Sequence, residues 1–467
     1  MADPPPRVRL VVLNYNGGDL LVRCLEHLQR LDWPSDRLEL VVVDNVSSDG
    51  SDAVVAERFP SVRLVRNARN TGFPANNLAM RDLDGVDYVG LVNPDSFVEP
   101  GWLRALVGAL EADPAVGAAS ARMLFADRFA EVEVTSPTFV PGTADRRELG
   151  VRVSGARVDG KDRWRDTQVA EGTWGIEHDR QGGTFQWTRG RAVVRLPVPD
   201  GEVAGHELEL RLAAEADKRV ELRVGGEPVA VDVGEEPRWV RVPVPAGAGN
   251  AAGGEAVEAA RVEAVDVVNN VGSIVLVDGS GADRGYLERD EGQYDEPADV
   301  FAWCGGSVLF RPAYLDDVGL FDERFFLYYE DTDLSWRGGA RGWVYRYVPE
   351  AVARHVHSAS TGEGSAIFQH YVERNRLLML TKNAPARMAA GAVWRFALVT
   401  ASYARRDIVR PVLGRHRPNV EQVRRRLGSL LGYLRLLPAM LVARRRIRRA
   451  ATVGDAEMLS RLVTREP

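Results

Sequence analysis

Val8-Arg9-Leu10-Val11-Val12-Leu13-Asn14-Tyr15-Asn16-Gly17-Gly18 is a nearly unbroken apolar run that stops at a polar, glycine-bearing turn. Runs of this kind are strands covered on both faces, the habit of parallel sheets. Leu20, Leu21, Cys24, Leu25, Leu28 and Leu31 then recur at helical spacing. The unit repeats. Leu38–Val43 stops at Asp44-Asn45, Val62–Val65 stops before Asn67-Ala-Arg-Asn-Thr-Gly72, and Tyr88–Val92 stops at Asn93-Pro94-Asp95. Helical patterns at Pro74–Asp82 and Gly101–Glu111 separate the runs, and Val116–Met123 reads as a further strand. The spacing predicts a Rossmann-like α/β domain with a mostly parallel sheet and helices on both faces. Such sheets bind ligands beyond the carboxyl ends of their strands, where Asn14, Asp44, Asn93 and Asp95 all fall.

The grammar changes near residue 130. Ala192–Val198, Glu207–Ala213, Arg219–Val224, Pro228–Val233 and Arg238–Val244 are short alternating stretches punctuated by Gly, Pro and Asp, as in an antiparallel sandwich or jelly roll. Gly247–Gly254 reads as a flexible linker. Strand and helix signals resume at Val267-Val-Asn-Asn270, with a strand in Ala302–Arg311, helices at Tyr314–Val318 and Leu334–Arg341, and a strand at Val344–Val348. The expected organisation is therefore a discontinuous α/β domain (1–130 and 266–364), an inserted all-β domain (131–265) and a helical, basic C-terminal region (365–467). Trp164, Trp174, Phe185, Trp187 and Trp239 of the insertion are expected in its core, or stacked on sugar rings if the domain binds glycan.

The 467 residues carry 45% apolar and 27% charged side chains, ordinary for a soluble globular protein. The net charge of −6 is unevenly spread. Ser365–Pro467 holds 21 Lys and Arg against 6 Asp and Glu, a local +15 on an otherwise acidic body. Such a tail suits an anionic partner. Its apolar segments Ala389–Tyr403 and Leu427–Ala443 are broken by Arg395, and by Arg435 and Pro438. They read as basic amphipathic helices lying on a membrane rather than crossing it, or as a packing arm. Nucleic acid is not expected, since aromatics are not interleaved with the arginines. Two distant cysteines, Cys24 and Cys304, and a start without a basic and apolar leader fit the cytoplasm.

Three constellations carry chemistry. Asp95, just past a strand, offers a hard oxygen to a divalent cation, although Asn-Pro-Asp-Ser also makes an ordinary turn. Glu330-Asp331-Thr332-Asp333 opens a helix after the aromatic run Phe325–Tyr329. Acids there cap a helix, and one partly desolvated carboxylate can act as a general base. His355 and His357 alternate on a strand and can join a metal site. Around these, Arg69, Asn70 and Gly72 precede a helix start suited to phosphate. Asn77 is a poor helix former early in a helix, and Gly305-Gly306 permits either close ligand approach or tight packing.

Read together, Val11-Val-Leu-Asn-Tyr-Asn-Gly17, Val42-Val-Asp-Asn45, Arg69-Asn-Thr-Gly-Phe73, Leu91-Val-Asn-Pro-Asp95, Val318-Gly-Leu-Phe-Asp-Glu323, Phe326-Leu-Tyr-Tyr-Glu-Asp-Thr-Asp-Leu334 and His355 resemble family-2 inverting glycosyltransferases of the GT-A fold, and within them rhamnosyltransferase-like enzymes. The resemblance covers roughly residues 7–130 and 265–380. It implies Asp331 as catalytic base with Glu330 beside it. It implies a donor site from Asn14, Asn16, Asp44, Asn45, Arg69, Asn70, Gly72, Asn77, Asn93 and Asp95. It implies an acceptor side at Gly305, Gly306, Tyr329 and Asp333, and a Mg²⁺ or Mn²⁺ held by Asp95 with His355 or His357. Asn93 stands where the family's motif has its first acid. The implied reaction moves a sugar from a nucleoside-diphosphate donor, dTDP-rhamnose or a UDP-sugar, to a hydroxyl of a cell-surface glycan, lipid-linked and reached from the inner membrane face. A non-catalytic glycan-binding scaffold, or a homo-oligomer of either kind, is the competing expectation.

Overall fold

The structure is a computed structural model describing residues 4–143, 145–179, 182–244, 262–356 and 365–464. The expected linker at Gly247–Gly254 and His357 lie outside the described residues. The chain divides into two compact units. One comprises Met1–Leu124, Asn269–Tyr286 and Gly292–Pro467, the other Phe125–Val268 and Leu287–Glu291. The helices after residue 365 thus belong to the same unit as the α/β sheet.

In the first unit β1 (Val8–Asn14), β2 (Leu38–Asp44), β3 (Arg63–Arg66) and β4 (Tyr88–Val92) form the parallel part of the sheet, with β1 between β2 and β4. Residues of both parities on β1 are buried, so an apolar run rather than an alternating one specifies it. Helix α1 (Gly18–Leu28) buries Leu21, Cys24, Leu25 and Leu28. Full burial of each leucine is worth about 1.5–3 kcal/mol as an upper bound. Beyond β4 the sheet turns. β5 (Ser96–Val98) is short, β6 is Val116–Phe125, and β7 (Ser307–Phe310) runs antiparallel between β4 and β6. β8 (Val344–His355) pairs antiparallel with β5. The sheet is therefore mixed, a correction to the mostly parallel expectation. The chain returns from the insertion into the slot beside β4 in the opposite direction.

Pro74–Asp82 is not one helix but a 3-10 turn, Phe73–Asn76, followed by Asn77–Met80. α2 (Glu330–Gly339), α3 (Ala366–Asn383), α4 (Ala386–Ala404) and α5 (Glu421–Ala450) complete the parts used below. By length and composition α5 is apolar enough to cross a membrane, as the core helix of a soluble protein also can be.

The second unit is all-β. The 15-residue strand Thr184–Val198 links two groups of strands, pairing through Arg191–Val198 with Arg128–Thr135 and through Gln186 and Trp187 with Arg152–Val158. The strands form one hydrogen-bonded path rather than two separate sheets, closed over a core that includes Val132, Val153, Val194, Leu210 and Val220. Its tryptophans are covered: Arg189 sits over Trp174, Arg157 over Trp239, and Trp164 packs on the core.

Candidate active site

The carboxyl ends of β1 and β2 are tied by side chains. Asn14 Nδ2 donates to Asp44 Oδ1 at 2.9 Å and to Ser51 Oγ at 2.8 Å, while Asn14 Oδ1 accepts from Gly17 N. Asp44 Oδ2 accepts from Ser47 N at 3.2 Å. The buried Asp44 keeps lone pairs to spare for a ligand N–H or hydroxyl. Asn16, at φ 55°, accepts from Ser48 N. Asn45 Oδ1 accepts from Asn67 and Thr71 N, and its Nδ2 donates to Asn70 Oδ1. Arg69 is exposed and makes no ion pair or hydrogen bond among the described residues, so its guanidinium is open to an anion. Asn77 is different. Its buried amide donates to Phe321 O and accepts from Phe321 N, which makes it a structural clip rather than a ligand.

Asn93-Pro94-Asp95-Ser96 is a hydrogen-bonded turn, with Ser96 N donating to Asn93 O at 3.0 Å. It presents Asp95 to β8, where Val356 N donates to Asp95 O. His355 Nε2 lies 3.2 Å from Asp95 Oδ1, yet that buried oxygen has no aligned hydrogen-bond donor. His355 Nδ1 meets Asn269 Oδ1 at 3.1 Å. With Nδ1–H donating to Asn269, Nε2 would turn a lone pair toward the carboxylate, an arrangement that suits a cation between them, whereas a doubly protonated ring would pair with Asp95 directly. The spacing matches the ~3 Å between adjacent ligands of an octahedral ion with ~2.1 Å bonds. The pair therefore fits a hard divalent cation. Among the described residues no group of three or more His, Cys, Asp or Glu gathers around one point, so phosphate oxygens and water would complete such a shell.

On the other side, α2 begins with Glu330 and Asp331. Asp331 Oδ1 accepts from Thr332 N at 2.5 Å and Thr332 Oγ1 at 3.1 Å. Burial, aided by the negative Asp283, raises its carboxyl to about 6 in spite of those bonds. Burial and the Asp331 charge push the Glu330 carboxyl well above its ordinary value, and Glu330 Oε2 has no partner. Both neighbouring carboxyls are thus held above their ordinary ranges and titrate together as one interacting pair.

Three left-handed residues lead into them: Phe326 (φ 69°), Tyr328 (φ 67°) and Tyr329 (φ 68°). Such conformations in aromatic residues are strained and are held from outside. Asn375 Nδ2 on α3 donates to the carbonyls of Phe325, Leu327 and Tyr328 at 2.7–2.8 Å. Tyr329 Oη accepts from Gly281 N. Gly72, at φ 69°, has its Cα so near the loop that a Cβ would stand 2.0 Å from Phe326 O, and the next residue's N–H donates to that oxygen at 2.7 Å.

One acceptor-side expectation, Asp333, is corrected. Asp333 is fully buried and saturated, with Oδ2 bound by Arg337 and Lys382 and Oδ1 by Asn383, so it anchors α2 to α3. Gly305 and Gly306 are buried. A Cβ there would meet Phe73 Cζ at 2.9 Å and Met123 Cε at 2.8 Å, the outer ends of two side chains, so tight packing is one use of the glycines.

Sequence reasoning missed Asn269, Asn270 and Asp283. Asn270 Nδ2 donates to Asp283 Oδ1 at 2.5 Å. Asp95 thus meets His355 and His355 meets Asn269, while the next residue in the chain, Asn270, holds Asp283, whose charge is felt at Asp331. The signal available was the Asn-Asn pair closing the apolar Val267-Val268 run.

Residues 10–156 match the family model described as Glycosyl transferase family 2. Over 65 residues the chain is 46% identical to an N-acetylglucosaminyl-diphospho-decaprenol L-rhamnosyltransferase of Mycobacterium tuberculosis, covering 14% of this chain and 21% of that protein. It is 34% identical over 112 residues to the succinoglycan biosynthesis protein ExoO of Rhizobium meliloti, covering 24% and 31%. The chain thus spans about a fifth to a third of the curated relatives it matches. A crystal structure of GalNAc-T7 with UDP, GalNAc and Mn²⁺ aligns at a TM-score of 0.41 and 13% identity, covering 81% of this chain and 48% of that one. The match over residues 10–156, less than half of the chain, makes that region, with strands β1 to β6, similar to glycosyltransferase family 2.

Proposed function

We propose that the protein is an inverting, metal-dependent glycosyltransferase that moves a sugar from a nucleoside-diphosphate donor to a hydroxyl of a lipid-linked cell-surface glycan at the inner membrane face. The observation that carries this reading is the segment Asn269–Asn270, which meets His355 beside Asp95 through one residue and Asp283, an electrostatic neighbour of Asp331, through the next. Asp44, Asn45 and the free Arg69 form the donor side, and the short regional identity to the rhamnosyltransferase favours dTDP-rhamnose as donor.

Asp95 and His355 would hold the Mg²⁺ or Mn²⁺, which supplies positive charge to the departing diphosphate. His357 is a further candidate ligand. Asp331, ionised near neutral pH, accepts the proton of the acceptor hydroxyl as its oxygen bonds to the anomeric carbon and the bond to the diphosphate breaks. Burial and the Asp331 charge bias Glu330 toward its neutral form, which lessens its repulsion of the leaving charge. One displacement inverts the anomeric centre. Tyr329, fixed at the helix entrance, lines the acceptor side.

A thermal-shift screen of nucleotide sugars with and without Mn²⁺ or Mg²⁺ tests the donor half. One donor should stabilise the protein, and only when metal is present. Asp331→Asn should keep that shift and lose about 10²–10⁴-fold in turnover. Full turnover in Asp331→Asn, or equal shifts without metal, would overturn the assignment. Donor binding without turnover in the wild type across acceptors would favour a scaffold.

A further inference from the structure

Helices α4 and α5, joined by residues 405–420, pack inward through Phe396, Thr400, Tyr433 and Met440. Their outward faces are also apolar, and among the described residues nothing covers them. Trp394 is 66% exposed, Leu431 69%, and Leu413, in the connection, 79%. On α5, Leu427, Leu434 and Leu441 recur every seven residues along one exposed stripe, with Arg424 before it and Arg445 after it. The two faces look the same way, because Trp394 of α4 and Leu441 of α5 line one groove of about 480 Å³ between the helices. A contiguous apolar patch of this kind marks an interaction surface.

Charge selects the occupant. Residues 386–450 contain sixteen arginines and two acids. A second copy would set this charge against itself. A nucleic acid would leave the tryptophan and leucines facing a phosphate backbone. A bilayer with anionic headgroups satisfies both features at once, since apolar side chains enter the acyl boundary while arginines meet phosphates.

We propose that the outer face of α4, the 405–420 connection and α5 is a docking surface for an anionic phospholipid bilayer, with both helices lying in the plane of the interface. A crossing orientation of α5 is disfavoured by its inner contacts. Arg425 and Arg426 pair with Glu373, Tyr433 Oη meets Thr381 Oγ1 at 3.0 Å, and Arg444 donates to the carbonyls of Thr381 and Ala384. Insertion would break this set and carry consecutive arginines into hydrocarbon. The inference does not depend on the catalytic reading.

The test is co-sedimentation of the full chain with vesicles of phosphatidylcholine alone, or of equal parts phosphatidylcholine and phosphatidylglycerol, at low and high salt, beside sedimentation velocity without lipid. The expected result is binding to the anionic vesicles only, weakened by salt, with at least a tenfold loss in Leu434→Ser/Leu441→Ser of unchanged circular dichroism. Should that variant misfold, Arg445→Glu/Arg446→Glu must show the same loss. Failure of the wild type to bind anionic vesicles overturns the proposal. So does a wild-type dimer that the leucine variant dissociates while vesicle binding stays intact, or binding to DNA that the leucine variant keeps together with full vesicle affinity.

Discussion

As the proposed base, Asp331 would work under two opposed demands, since a base must be ionised while its surroundings favour the neutral acid. Burial and Asp283 raise its carboxyl to about 6. The ionised fraction therefore grows from roughly pH 5 to 7, and kcat/KM should climb over that range and then level off. A pH–rate profile checks this. Asp283→Asn removes a negative neighbour, so the rising limb should move to lower pH, and an unmoved limb would detach Asp283 from the base. Stability runs the other way. An acid whose folded value lies above its unfolded 3.8 contributes stability that is complete below that value and lost as pH rises through about 6. Asp331→Asn should accordingly melt higher than the wild type above pH ~6, a gain at the cost of turnover. The polar strand ends Asn14, Asp44 and Asp95 were legible in the sequence because strand termination and residue type coincide there. Asp283 was not, since only the packing of Asn270 against it reveals its place.

The segment Phe325–Tyr329 is the element on which the base depends. Its aromatic composition was readable as a desolvating approach to Glu330. Its left-handed backbone was not, because no glycine or asparagine announces it and the restraint comes from Asn375, far along the chain. Asn375→Leu leaves three carbonyls without their shared donor and should cost about 1–3 kcal/mol in denaturant unfolding. Turnover should suffer more than donor affinity, because the loop positions Asp331 and not the nucleotide residues. Gly72→Ala places a methyl group on Phe326 O and a side chain at φ 69°. It should lose both stability and turnover, read by thermal midpoint and kcat.

At the scale of the molecule, a buried ionic cluster fastens the C-terminal helices to the sheet unit. Lys382 Nζ donates to Asp322 at 2.7 Å and to Asp333 at 2.8 Å. Asp322 is held below the usual carboxylate range by Arg324 and Lys382 against the opposing effect of burial. Lys382→Met strips the shared cation from two buried carboxylates and should cost about 3–5 kcal/mol, measured by denaturant titration. The α/β pattern of the first 120 residues was visible in the sequence because buried parallel strands write themselves as apolar runs. The mixed order of the sheet was hidden. β7 is four residues long and joins beside β4 only after the chain returns from the insertion, a pairing no local period encodes. The basic tail was visible as composition, and its anchorage through Lys382 and Asn383 was not.

The main-chain hydrogen bond from Phe73 to Phe326, closed over Gly72, couples the nucleotide loop to the entrance of the base-bearing helix. Any effect that a bound donor has on acceptor affinity through this link must be matched, factor for factor, by the effect of a bound acceptor on donor affinity.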